Sequence, residues 1–379
     1  MSGGGTGLYV HFPYCSRRCD YCDFTLTTPR QIPAARYTDA LLAELERRLA
    51  DHPVTALRTL YVGGGTPSLW PEAELARFLD GVRERCALNP DAELTLEANP
   101  DEVDEAFLER RVALGVNRIS LGVQSLDERR LTALSRTHGR AGAIAAITAL
   151  SRAFEDGRLK SFSIDLMYGL PGQSLEDWLG ELDEVMDLAR PPHLSLYALT
   201  IEPKTTLAFK IRRGEGQAPD DGLQAEMMFA ARDHLAKRGY THYEVSSWAR
   251  PGHVAVHNSA YWDLTPYLAL GAGAHGFVGG VRYRNETRPS RYVERAMSGE
   301  ATETSSERPD EATLMFERVM TGLRRLDLGL VFDAAMRRRW GAVLAEEVAR
   351  GRLFDDGERV RLSDEGLRFM DDVLLRLTV

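Results

Sequence analysis

Within the first two hundred residues, six short runs with strand character alternate with stretches of helical spacing. Leu8-Tyr9-Val10-His11-Phe12, Thr59–Val62, Glu93–Ala98, Arg118–Gly122, Ser161–Leu166 and His193–Leu199 are the runs. Ala34–Leu49, Glu72–Arg85, Glu105–Leu114 and Leu175–Leu188 are among the helical stretches between them. A βα repeat of this kind predicts a parallel sheet, because each crossover from strand to parallel strand needs a helix and packs with one hand. Six units within about 190 residues are too few for a closed eight-stranded barrel, so an α/β fold is expected: an open, partial (β/α)6 barrel of the TIM type. In such a sheet, functional groups gather where the strands end, which directs attention to the loops after each run.

The chain has 379 residues, and at roughly 150 per domain that suggests two or three domains. Lys and Arg number 47 against 56 Asp and Glu, for a net charge of −9, in a chain that is 44% hydrophobic and 27% charged. That balance excludes disorder, collagen and extended coiled coil, and it disfavours a nucleic-acid partner held by phosphate contacts. Met1 to Gly7 contain no basic n-region, so no secretory leader is expected. The longest uncharged apolar tract, Leu264 to Gly280, is interrupted by Pro266, His275 and repeated glycines, which argues against a spanning helix and for a cytoplasmic protein.

Cysteines stand at 15, 19, 22 and 86, three of them within eight residues just after the first strand-like run. In a reducing compartment such a cluster points to metal or catalysis rather than disulfides, with coincidence as the competing reading. Zinc would want a fourth ligand. Cys86, alone at the end of a helical pattern in Gly81–Leu88, reads instead as a small buried hydrophobe. Three soft thiolates suit a four-iron four-sulfur cube, leaving one iron with an open position. After the second run, Gly63-Gly64-Gly65-Thr66-Pro67 lets backbone approach a ligand closely, with N–H groups available to hold a carboxylate; a tight βα turn is the plainer explanation.

The spacing Cys15-x3-Cys19-x2-Cys22 resembles the signature of the radical S-adenosylmethionine superfamily. There, S-adenosylmethionine chelates the open iron, and one electron can cleave it to a deoxyadenosyl radical. The ordered set Tyr9-x-His11-x-Pro13, GGGTP, EANP, GVQS, DLMYGLPG and Tyr243–Trp248 resembles the oxygen-independent coproporphyrinogen III oxidase-like family over nearly the whole chain. That resemblance implies a [4Fe-4S] cluster on Cys15, Cys19 and Cys22. It also implies S-adenosylmethionine contacts at Tyr9, Tyr21, Gly64, Gly65, Thr66, Glu97, Gln124, Arg136 and Asp165.

Two branches of the family differ in ways that this sequence can express. The coproporphyrinogen dehydrogenases carry a fourth cysteine two residues after the third, where this chain has Phe24, and a long segment before the first strand. His257-Asn258-Ser259-Ala260-Tyr261-Trp262 resembles the HNxxYW motif of the HemW-type branch. The implied function is therefore haem binding and transfer to an acceptor, a membrane-associated respiratory protein among the candidates. His257 would be the axial ligand, with Tyr261 and Trp262 against the porphyrin, and His253 and His275 competing for the iron. The alternative is radical oxidative decarboxylation of coproporphyrinogen III to protoporphyrinogen IX.

Beyond about Ser290, charged amphipathic stretches at Ala312–Leu326 and Val343–Arg350 resemble a winged-helix region. The acids in Asp355-Asp356-Gly357-Glu358 favour packing or partner docking there over DNA. The expected division is a barrel over 1–235, a β-rich extension bearing the haem motif over 236–290, and a helical, winged-helix-like domain over 291–379. The chain is expected to act as a monomer or weak dimer.

Overall fold

The computed structural model describes residues 5–377; the first four residues of the stretch read as leaderless, and the last two of the chain, lie outside the described residues. Six strands, β1 (Thr6–Phe12), β2 (Ala56–Gly64), β3 (Ala87–Ala98), β4 (Arg118–Gln124), β5 (Ser161–Tyr168) and β6 (His193–Ala198), pair in chain order, every pair parallel. Strands β7 (Thr241–Glu244) and β8 (Ser247–Ala249) form an antiparallel edge beside β6. Beyond β1 lie β9 (Tyr267–Leu270), parallel to it, then β10 (His275–Val278), β11 (Val281–Asn285) and β12 (Glu303–Glu307), each antiparallel to the last. Among the described residues, this twelve-stranded sheet ends at β12 and β7, so the six-stranded barrel of the sequence reading is extended at both edges.

Local chemistry sets the elements. The helix Leu175–Ala189 starts at a capping box, with Ser174 accepting from the Asp177 N–H and Asp177 accepting from the Ser174 N–H, and stops where Arg190 turns left-handed at φ 39°. Strand β3 starts earlier than the Glu93 expected from sequence. Ala87 and Leu88 already pair with β2, and an irregularity containing Pro90 then shifts the register before Glu93 faces Thr59. Proline and polar residues there hid the strand. Trp70, Trp178, Trp248, Phe12, Phe78 and Phe162 are fully buried in the core between sheet and helices.

The sheet continues past residue 291, where a new unit was expected to begin. The helix Pro289–Ser298 packs Tyr292, Val293 and Ala296 into the main core, and β12 completes the sheet. A second core, including Val319, Leu323, Trp340, Leu344, Val360 and Val373, gathers around a small antiparallel sheet of β13 (Leu330–Val331), β14 (Leu353–Asp355) and β15 (Arg359–Leu362).

One buried carboxylate joins the added strands to the first helix. Glu44, on the helix Ala34–Asp51, accepts from the Gly271 N–H (3.0 Å), the Tyr292 hydroxyl (2.6 Å), the Thr302 hydroxyl (2.6 Å), the Asn285 amide (2.9 Å) and Arg48 (3.2 Å). Arg48 in turn pairs with Glu303 on β12 at 2.9 Å. Among the described residues, no helix is long and apolar enough to cross a membrane.

Candidate functional site

The loop after β1 is tied down at both ends. Cys15 and Thr27 share backbone hydrogen bonds across its neck, the Cys15 N–H to the Thr27 carbonyl at 3.0 Å and the Thr27 N–H to that of Pro13 at 2.7 Å. The His11 ring reaches the Thr25 carbonyl at 2.8 Å, and Lys210 holds Asp20 at 2.5 Å. The glycine turn locks onto this loop. A Cβ on Gly64, whose φ is 116°, would strike the His11 ring at 2.6 Å, and one on Gly65 would meet the Tyr14 carbonyl at 2.7 Å and Cys15 Sγ at 3.0 Å.

The expectation that the turn's N–H groups hold a ligand carboxylate is corrected at three of them. Gly64 donates to Glu97 at 3.0 Å, Gly65 to the Phe12 carbonyl at 2.8 Å and Thr66 to that of Tyr14 at 2.9 Å. The turn therefore fixes the cysteine loop, and the Thr66 hydroxyl donates to Cys15 Sγ at 3.2 Å. Gly65→Val is expected to cut the yield of reconstituted cluster several-fold with an unchanged far-UV circular dichroism spectrum; a wild-type yield would show that the loop does not depend on this contact.

A cavity of about 320 Å³ lies over the loop and the ends of β2 to β6. It is lined by all three clustered cysteines and by Tyr21, Gly64, Gly65, Thr66, Glu97, Gln124, Arg136 and Asp165. Tyr9 does not line it; its hydroxyl sits 2.9 Å from His11 Nδ1, one layer below. Gln124 reaches the cavity through a register shift in β4 and a left-handed φ of 72°, a strained backbone of the kind found at functional sites. Arg136 donates to Asn99 and to the Gly122 carbonyl, both at 2.7 Å, and to Cys19 Sγ at 3.5 Å, while its buried Nε has no partner among the described residues.

Burial makes the acids here weaker. The Cys15 thiol is pushed up to about 11 by desolvation, and that of Cys22 is raised for the same reason. Both are therefore thiols until a metal supplies positive charge. Glu97 is pushed up to about 7 by desolvation, against hydrogen bonds from Tyr61 and Gly64; Asp165 is raised by burial, against hydroxyls of Ser163, Ser195 and Ser120. A raised folded-state value makes Glu97 cost stability as pH rises from its unfolded value to about 7. Glu97→Gln is thus expected to stabilise the ligand-free chain at pH 8 by about 1–3 kcal/mol while lowering its affinity for cationic ligands. Denaturant melts at pH 5 and pH 8 check this; an equal effect at both would refute it.

The donors fit the implied cluster. Soft thiolates are its usual ligands, and each cysteine of a cube binds a different iron, so the three need not converge on one ion. Among the described residues, no three His, Cys, Asp or Glu side chains are arranged to hold a single metal ion. Cys86 is buried apart from the trio, its thiol against the Val82 carbonyl.

The haem-motif residues divide. His257 is 1% exposed, with Nδ1 2.8 Å from the Thr59 hydroxyl and Nε2 2.8 Å from that of Tyr261, and it stacks on Tyr61. Burial pushes it down to about 3, so it is neutral, and in this arrangement neither ring nitrogen is free for an iron. Tyr261 turns inward with it, whereas Trp262 lines a separate groove. His253 packs edge-on against Phe154, and His275 is exposed on β10.

The helix that bears them, Val256–Trp262, is wired to the cavity. The Ala255 N–H donates to the Tyr243 hydroxyl (3.4 Å), which donates to His193 Nε2 (2.8 Å). His193 Nδ1 donates to Ser163 (2.9 Å), whose hydroxyl donates to Asp165 (2.8 Å). The direction follows from Asp165 being an acceptor at the end of the line. Sequence reading missed His193, Ser120, Ser163, Asn99, Met167 and Tyr197, of which all but His193 and Ser163 line the cavity. The signal available was position, since each sits on or just after a predicted strand.

An open parallel sheet with a Cys-x3-Cys-x2-Cys loop and a polar cavity at its strand ends defines a radical SAM protein, and the Radical SAM superfamily matches residues 9–185. The chain is 39% identical to "Heme chaperone HemW" of Mycobacterium tuberculosis, with 99% of this chain and 95% of that protein covered. It is 36% identical to the protein of that name from Escherichia coli K12 (97% and 96% covered), and 36% to the mouse protein "Radical S-adenosyl methionine domain-containing protein 1, mitochondrial" (98% and 86%). The chain belongs to the HemW family. Its fold is that of the coproporphyrinogen III oxidase HemN from Escherichia coli, a TM-score of 0.84 at 23% identity with 99% of this chain and 90% of that one covered.

Proposed function

We propose that this protein is a cytoplasmic haem chaperone that binds haem and passes it to an acceptor protein. Cys15, Cys19 and Cys22 would hold a [4Fe-4S] cluster, with S-adenosylmethionine as exchangeable ligand of its fourth iron. The observation that carries the reading is the meeting of those three cysteines with eight of the nine residues named for S-adenosylmethionine around one cavity, in a chain of the HemW family. When bound, the cluster and its ligand supply one-electron chemistry. The chain's own part is binding: Glu97 and Asp165 offer carboxylates to hydroxyl or ammonium groups, and Arg136 offers an unpaired N–H. Phe24 lines the cavity, 61% exposed, where the dehydrogenase branch has a cysteine.

The test uses protein reconstituted without oxygen. It is titrated with haemin, then mixed with an apo haem protein, and separately given coproporphyrinogen III, S-adenosylmethionine and a reductant. Haemin uptake and delivery without protoporphyrinogen formation support the reading. Efficient decarboxylation would replace it with the dehydrogenase.

A further inference from the structure

The helix Val256–Trp262 has a second face, turned away from the barrel interior. A groove of about 750 Å³ opens there, between this helix, Arg58 near the start of β2, and the C-terminal unit. That volume is within the range of sites for sizeable organic ligands, about 300–1,000 Å³. Ser259, 9% exposed, and Trp262 line it, and the Ser259 hydroxyl and Trp262 indole N–H are both buried without partners among the described residues. On the opposite wall, Leu328 and Val331 are 51% and 44% exposed, with Leu330 between them. Apolar exposure facing orphaned polar atoms marks a surface shaped for an amphipathic ligand.

The charge of the groove runs against that of the chain. Among the described residues, Arg58, Arg318, Arg325 and Arg359 line it against the single carboxylate of Asp263, in a protein of net charge −9. Two of these arginines are committed. Arg325 pairs with Asp263 and Asp327, and Arg359 donates to the Leu328 and Gly329 carbonyls. Arg58 and Arg318 are exposed and, among the described residues, have no ion-pair or hydrogen-bond partner.

We infer that this groove binds the dicarboxylate edge and flat face of a tetrapyrrole, with Arg58 and Arg318 taking the carboxylates and Trp262 the ring. The inference rests on the haem reading above and moves the first contact from His257, inside the barrel, to the outer face of the same helix. Guanidinium groups hold carboxylates in planar, paired hydrogen bonds, and an indole beside apolar side chains suits a large aromatic face. Recognition of this kind does not depend on the iron.

The reconstituted full chain is titrated with haemin, with iron-free protoporphyrin IX and with its dimethyl ester. Haemin and the free acid are expected to bind within about threefold of each other, and the ester at least about tenfold more weakly. Combining Arg58→Gln with Arg318→Gln should weaken both acids at least about tenfold, leaving cluster iron content and S-adenosylmethionine binding unchanged. Wild-type haemin affinity in that double variant, or an ester bound as tightly as the acid, would overturn the groove while leaving the haem reading intact. A wild-type chain that takes up neither porphyrin overturns both.

Discussion

Reconstituted without oxygen, the Cys19→Ala protein will lack the visible absorbance of an iron–sulfur cluster, and its iron and sulfide will fall from about four of each per chain to near zero. Two thiols remain after the change, but burial makes Cys15 and Cys22 weaker acids, in a cavity that disfavours their anions. A pair of reluctant thiolates cannot hold a cube whose third corner is gone. The fold should not notice, because the loop is held by the Cys15–Thr27 neck and the His11–Thr25 contact, neither of which involves Cys19. Cys86→Ala is the control, with full iron and sulfide expected. Wild-type iron content in Cys19→Ala would remove Cys19 from the centre.

Glu44→Ala is expected to destabilise the chain by about 3–5 kcal/mol, the range for breaking a buried charge network by removing one partner. Five donors converge on this wholly buried carboxylate, and alanine would strand those of Gly271, Tyr292, Thr302 and Asn285. Arg48 would keep Glu303. Glu44→Gln should cost less, since one oxygen can still accept while the amide NH₂ faces groups that also donate. Guanidinium melts followed by tryptophan fluorescence give the value, and hydrogen exchange should quicken first in β10 to β12. A loss under about 1 kcal/mol would mean that water or rearrangement replaces the carboxylate.

The six parallel strands were legible because each carries its own apolar run and each is followed by an amphipathic helix. The helix Glu72–Arg85 matches the bounds expected. What escaped was information held between segments. Strand β9 joins β1 in parallel although more than 250 residues separate them, and nothing local in Tyr267–Leu270 states that partner. The inward turn of Gln124 comes from a register shift against β5, a property of two strands together. The likeness to the HNxxYW motif suggested His257 as a haem ligand; the hydroxyls of Thr59 and Tyr261 that engage its nitrogens arrive from elsewhere in the fold or a turn along the helix. The glycine turn was found by its lack of side chains, yet its N–H groups proved to be used by the protein itself.

The polar line from Ala255 through Tyr243, His193 and Ser163 to Asp165 allows one sense of proton arrangement while the carboxylate stays charged. Should Asp165 take up a proton, the Ser163 hydroxyl has a second acceptor in Ser195 Oγ at 3.0 Å, so the line behind it can keep its sense. The outer helix and the floor of the cavity are thus the two ends of one buried polar relay, and a substitution at His193 would sever it in the middle without touching either end.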